Sequence, residues 1–194
     1  MSEASRDAIF AAMRAASAAR AVALRAAYAA PRLDASAEAF AASLAAAGGA
    51  LVRCTASALG AEIARIAAGA AQVWSELPEL SARGCALTAA EPRELAALDI
   101  AVLRGALAVA ENGAVWHTPR SPLERAAALL AEQLVLVVDE AALVGSLHDA
   151  YARISPAASA FGWFLAGPSK TADIEQALVL GAHGPCSCTV VLVR

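Results

Sequence analysis

The chain has 194 residues and a net charge of −3, with 15 basic against 18 acidic residues, which suits a single domain of slightly more than typical size. A pI of about 5.6 and charges mixed along the chain argue against a nucleic-acid partner, which calls for a basic stripe. Hydrophobic residues reach 59%, but much of that is alanine, and the uncharged stretches 39–52 and 176–193 are interrupted by Gly48-Gly49 and Gly184-Pro185, so neither offers the roughly 20 apolar residues of a membrane-spanning helix.

Glu3, Arg6 and Asp7 precede any apolar block, which is unlike a signal peptide. The expected location is therefore the cytoplasm, with Cys54, Cys85, Cys186 and Cys188 as reduced thiols. Cys186-Ser187-Cys188 has no second pair at ligand spacing, so no metal or other cofactor is expected in this chain.

In chain order, Ser2 to Tyr28 has helical spacing through Ile9, Met13 and Ala16 and stops at Pro31. Asp34 is placed to cap a second helix carrying Phe40 and Leu44, which Gly48-Gly49 ends. Ala50 to Cys54 reads as a strand, Ser57 as the cap of a helix through Ile63 and Ile66, and Ala71 to Trp74 as a short strand. Pro92 opens a short helix, 93–98. Three brief apolar runs follow, 100–103, 107–110 and 114–117, with Asn112-Gly113 between the last two as a hairpin signal.

Pro122 to Glu132 is again helical, and Leu134 to Val138 is a continuous apolar run of the kind buried on both faces of a sheet. Asp139 is read as the cap of one helix from Glu140 to Arg153. Strands are expected at 161–166, 177–180 and 189–193. Alternating strands and helices predict an α/β fold of three layers, α/β/α, around an open, mostly parallel sheet with antiparallel additions. A single domain is expected over 1–194, with 1–30 as a possible outlying arm.

The most informative stretch is Gly167-Pro168-Ser169-Lys170-Thr171-Ala172-Asp173-Ile174-Glu175. It follows an apolar strand, and ligands of open α/β sheets bind at strand C-termini. Gly167 allows close backbone approach, Ser169 and Thr171 supply hydroxyls, and Lys170 is the only lysine of the chain. Together they suit a phosphate or carboxylate. An ordinary loop, with Ser169 and Thr171 as caps and Asp173 at the positive end of a turn, accounts for the same residues. A P-loop is excluded, because Pro168 stands where the lysine belongs.

This segment, followed by Gly181-Ala182-His183-Gly184-Pro185, resembles the signature of the lactate-utilisation protein C family, the LUD-domain family. Weaker similarity covers Ser5-Arg6-Asp7-Ala8-Ile9, Ala110-Glu111-Asn112-Gly113, and Arg125 with Leu129-Leu130. Asn112 replaces a usual threonine and Ala131 a frequent proline. The resemblance implies a fold like that of ribose-5-phosphate isomerase and CoA transferases. It also implies a role beside two iron–sulfur partner proteins, which carry the clusters, in oxidising L-lactate to pyruvate.

On that reading Ser169, Lys170 and Thr171 hold a small carboxylate or phosphate-bearing ligand, supported by Gly167, Asp173, Asn112, Gly113 and Arg125, with Glu111 and His183 facing the same cleft as candidate catalytic residues. Two have a structural alternative: Glu111 closing its hairpin and Arg125 solvated beside Glu124. His117 is either an acid/base or a polar strand end, and His148 a solvated helix residue. The tryptophans Trp74, Trp116 and Trp163 are expected in packing roles. Two other functions stay open: a free-standing enzyme on a phosphosugar, CoA ester or folate, and a non-catalytic assembly protein.

Overall fold

The apolar run at the centre of the sequence is also the centre of the fold. In the computed structural model, which describes residues 3–18, 31–77, 91–155, 157, 159, 161–172 and 177–194, Gln133–Asp139 forms a strand with both neighbours parallel to it. The chain divides into two units, Met1–Pro31 and Arg32–Arg194. The first contains helix α1 (Glu3–Ala18); the expected continuation to Tyr28 lies outside the described residues.

The second unit is built on five parallel strands: β1 (Ala50–Cys54), β2 (Val73–Ser75), β3 (Ile100–Arg104), β6 (Gln133–Asp139) and β11 (Ser187–Val193). Their spatial order is β1-β11-β6-β3-β2. Successive side chains of a strand leave opposite faces, and the core divides accordingly. Ala101, Leu103, Leu134, Leu136, Val190 and Leu192 join Phe40, Leu44, Leu95 and Ala127 on one face. Ile100, Val102, Val135, Val137 and Val191 join Leu59 and Ile63 on the other. The first face carries α2 (Ala37–Ala46) and α4 (Pro122–Leu130), and the second α3 (Leu59–Ile66). This is an α/β fold with a mostly parallel central sheet.

The antiparallel additions are not edge strands of that sheet. They form a second sheet, ordered β7-β4-β5-β8, from β4 (Leu107–Val109), β5 (Ala114–His117), β7 (Leu143–Val144) and β8 (Trp163–Leu165). A two-stranded ribbon pairs β9 (Lys170–Thr171) with β10 (Val179–Leu180). The expected helix from Glu140 to Arg153 is also broken. Asp139 does cap, accepting from the Ala141 N–H, but only a single turn at Glu140–Ala142. Leu143 and Val144 then pair with β4, and a new helix, α5 (Leu147–Arg153), starts with Ser146 and Asp149 forming a reciprocal cap. Sheet pairing of two apolar residues overrides the local helical pattern.

Two other caps differ from expectation. Ser36, not Asp34, caps α2 by accepting from the Ala39 N–H, while Asp34 accepts from Ser36. Ser57 lies within a 3-10 turn with its hydroxyl on Thr55 and does not cap α3. Gly48 ends α2 as read, with φ of +84° and its N–H on the Ala45 carbonyl.

Candidate functional site

The signature stretch sits at the end of the parallel sheet where the strands begin. It follows the C-terminal end of a strand, as expected, but that strand, β8, belongs to the second sheet and not to the parallel one. Ser169 donates its N–H to the Pro185 carbonyl at 2.9 Å and accepts the Gly181 N–H at 3.0 Å, which ties the loop to the segment entering β11. Gly167 has φ of +69°, and a Cβ there would stand 2.3 Å from the Ala47 carbonyl oxygen. The absent side chain lets the loop press against the C-terminal end of α2.

Lys170 meets the same helix end: its Nζ lies 3.2 Å from where a Cβ on Gly48 would be. A cation at a helix C-terminus complements the exposed carbonyls there. Gly167, Ser169 and His183 share a shallow cleft of about 230 Å³, walled by Ala128, Leu129 and Phe164, that neither Lys170 nor Thr171 lines. His183 itself is exposed. Thr171 pairs with Val179 in the ribbon, and Asp173 lies outside the described residues.

The other residues proposed for this site do not line that cleft. The Glu111 carboxylate accepts the Leu147 N–H at 2.7 Å, and the Glu111 N–H donates to the Gly145 carbonyl, so this acid satisfies the first turn of α5. Asn112 accepts the Ala114 N–H, and the Gly113 N–H reaches the Val109 carbonyl, which completes the hairpin. Gly113, at φ of +69°, passes 2.5 Å (counted from an added Cβ) from the backbone of Leu44. Glu111 is not among the residues that line the cleft beside Ser169 and His183. Arg125 is exposed and stacks its guanidinium over the Phe161 ring at 4.5 Å.

Cys188 is 3% exposed. Burial pushes its thiol up to about 12, against a weaker opposing hydrogen bond from the Gly167 backbone. A thiol raised in this way favours the folded state below the ordinary cysteine range, and that contribution is lost as pH climbs toward its folded value.

At the opposite end of the sheet, sequence reasoning missed a buried ionisable cluster. Beyond β2 and β3, the side chains of Glu76 and Glu124 are only 6% and 9% exposed, and both hold Arg120. The Arg120 Nε stands 3.2 Å from one Glu124 oxygen, and its backbone N–H donates to the other. One terminal nitrogen reaches Glu76 at 3.3 Å. The second Glu76 oxygen accepts the backbone N–H of Arg104.

The Arg104 carbonyl lies 2.9 Å from His117 Nδ1, and because a carbonyl only accepts, Nδ1 is the donor of that bond. His117 is the last residue of β5, a strand end as read, and is 1% exposed. Among the described residues its Nε2 has no partner, and neither has the indole N–H of Trp163, the residue paired with it across β5 and β8. The local signal was present in Ser121-Pro122-Leu123-Glu124, a helix start with an acid at its third position, where the Ser121 hydroxyl accepts the Glu124 N–H. Glu76 and Arg104 had no such signal, because only the parallel pairing of β2 with β3 brings them together.

Around this cluster lies a hollow of about 260 Å³ lined by Glu76, Arg104, Gly105, Thr118 and Arg120. A larger one of about 640 Å³ adjoins it, sharing Ala106 and Thr118 and lined by Trp116, Tyr151, Arg153 and Phe161. His148 is exposed on α5, and Trp74 and Trp163 pack against the main core.

These features define the class: an α/β protein with a helix-flanked parallel sheet, a second mixed sheet, and two adjoining hollows beside the ionisable cluster. Residues 92–193, more than half of the chain, match the LUD domain, and the chain belongs to that family. It is 28% identical over 100 residues to Lactate utilization protein C of Shouchella clausii (strain KSM-K16), a match covering 49% of this chain and 44% of that protein. It is 31% identical over 93 residues to Lactate utilization protein C of Geobacillus kaustophilus (strain HTA426), covering 45% and 39%. The match thus spans less than half the length of either relative. A DUF162 family protein from Deinococcus radiodurans shares the fold, with a TM-score of 0.64 at 21% identity over 81% of this chain and 95% of that one. Among the described residues no helix is long and apolar enough to cross a membrane.

Proposed function

We propose that this chain serves lactate utilisation as an accessory or substrate-binding subunit, acting beside iron–sulfur proteins that carry out the oxidation of L-lactate to pyruvate. The observation that carries the reading is the LUD-domain match over residues 92–193 together with two relatives bearing the name Lactate utilization protein C. The clusters would reside in the partners; here Cys188 is a core residue and Cys186 packs its sulfur against Gly181. The ligand of the subunit would be a small carboxylate or a phosphate-bearing molecule.

The test is affinity purification of the chain from its native cell, followed by lactate-dependent dye reduction. Iron–sulfur proteins should co-purify, and reduction should require them. Absence of such partners, or full turnover by the isolated chain, would overturn the reading.

A second reading, a free-standing enzyme on a phosphosugar, CoA ester or folate, draws support from the cluster of Glu76, Arg120 and Glu124 beside two adjoining hollows, since concave sites with a few convergent polar groups are where small molecules bind. Glu111 is less suited to be its base, because its carboxylate is engaged at the start of α5. Turnover by the purified chain alone, lost in His117→Gln, would favour this reading.

A further inference from the structure

The larger of the two hollows, about 640 Å³, falls within the range of about 300–1,000 Å³ common to small-molecule sites. Three aromatic side chains line it, Trp116, Tyr151 and Phe161, beside the apolar Leu107, Ala142 and Ile154. Charge contributes little. Among its described lining residues none is acidic, and the one cation, Arg153, has Asp149 of the same helix as a counter-charge. The adjoining hollow lends no charge either, because Glu76 and Glu124 together hold Arg120 and Arg104 is engaged within the protein.

The polar groups that remain are hydroxyls. Thr118 lies where the two hollows meet, and among the described residues no hydrogen bond engages its side chain. Ser159 is already used, its hydroxyl donating to the Phe161 carbonyl at 2.7 Å.

The rings are held in place by the protein itself. Phe164, which is not part of the lining, packs against both Trp116 and Tyr151, with ring centroids 4.8 and 5.7 Å away. Trp116 also presses on Gly162, where a Cβ would stand 2.2 Å from the indole Cζ2. Phe161 is braced by Trp163 at 5.4 Å and by the Arg125 guanidinium at 4.5 Å. Even so, Tyr151 is 64% and Phe161 39% exposed, which leaves aromatic surface for a ligand to cover.

We infer that this hollow binds an uncharged planar ring system bearing a carbonyl or hydroxyl group, the ring lying against Tyr151, Phe161 and Trp116 and its oxygen hydrogen-bonded to Thr118. Flat rings pack on fixed aromatic side chains with little ordering cost, and a threonine hydroxyl can donate to a carbonyl or accept from a hydroxyl. An ionised ligand gains nothing further from a lining whose charges are already matched. The site does not depend on the role in lactate utilisation.

Isothermal titration of the full chain tests this with naphthol and coumarin as uncharged planar rings. Decahydronaphthol supplies the naphthol skeleton without planarity, naphthoate adds a charge, and L-lactate lacks a ring. Naphthol or coumarin should bind at least about tenfold more tightly than decahydronaphthol, and naphthoate no more tightly than naphthol. Tyr151→Leu, which keeps an apolar side chain against Phe164, should weaken naphthol binding about tenfold. Thr118→Val, which keeps the shape and removes the hydroxyl, should weaken it about fivefold, and both variants should melt at an unchanged temperature.

No binding of either planar ring, equal binding of decahydronaphthol or L-lactate, or a naphthol affinity unmoved in Tyr151→Leu would overturn the site. Tighter binding of naphthoate would overturn the uncharged class, and an affinity unmoved in Thr118→Val the part given to its hydroxyl. If Tyr151→Leu instead releases a co-purifying protein and leaves naphthol affinity as it was, the aromatic wall is a partner surface and the inference fails.

Discussion

The two ends of the parallel sheet do different work with different residues. Where the strands begin, the recognisable signature packs close: Gly167 lies on the Ala47 carbonyl, and Lys170 over Gly48 at the C-terminus of α2. Where they end, residues from three separate parts of the sequence, Glu76, Arg104, and the stretch holding His117, Thr118, Arg120 and Glu124, form a partly dry ionisable cluster beside two hollows. A contiguous motif is easily recognised because its residues are local in sequence. Its recognisability says little about whether it holds a ligand or holds the fold.

Substitutions at the two ends should separate these roles, and the largest effect belongs to the glycines. Gly113→Ala would combine a left-handed backbone with a Cβ 2.5 Å from the Leu44 backbone, and Gly167→Ala would meet the Ala47 carbonyl in the same way. Each should destabilise by about 3 kcal/mol or more, adding conformational strain to overpacking, read as a lowered urea midpoint. A midpoint near that of the unaltered chain would mean that the loops move independently of α2.

Next is Arg120→Ala, which takes a partner from both Glu76 and Glu124. Loss of charge-assisted hydrogen bonds to acids this sheltered should lower stability by about 2 kcal/mol, below the full range for a buried pair because Arg120 is itself 72% exposed. The loss should shrink in the double variant with Glu124→Gln. If the two effects simply add, the residues are not coupled.

Glu111→Ala should cost about 1 kcal/mol, as for the loss of a helix cap, with Glu111→Gln retaining much of the stability because an amide oxygen still accepts the Leu147 N–H. Abolished activity in Glu111→Gln at an unchanged melting temperature would move the chemistry back toward the hairpin. The smallest effect is expected for Lys170→Ala, within about 0.5 kcal/mol and diminished by added salt. Loss of anion binding in that variant, measured by titration with phosphate or lactate, would return the ligand to the signature loop.

Much of the fold was legible because the sheet is buried on both faces. The run 134–138, the glycines ending α2 and the hairpin at Asn112-Gly113 each declare themselves within a few residues. The segment Glu140–Arg153 did not, because Leu143 and Val144 satisfy a helical pattern and a strand pairing equally well, and only the presence of β4 beside them decides. The candidate site was less legible. Glu111 and Lys170 attracted a chemical reading through their neighbours in sequence, yet the first ends on a helix N–H and the second at a helix C-terminus. Arg104 and Glu76 attracted none.

The amino-acid order by itself determined the class of fold and the family, since hydrophobic periodicity, turn residues and a contiguous signature are all short-range properties. The separation of the antiparallel strands into a sheet of their own, and the gathering of Glu76, Arg104, His117, Arg120 and Glu124 at the strand C-termini, were decided only in three dimensions. Parallel strands are joined by long crossovers, so groups that meet at one end of such a sheet come from distant segments, and no local pattern records their meeting.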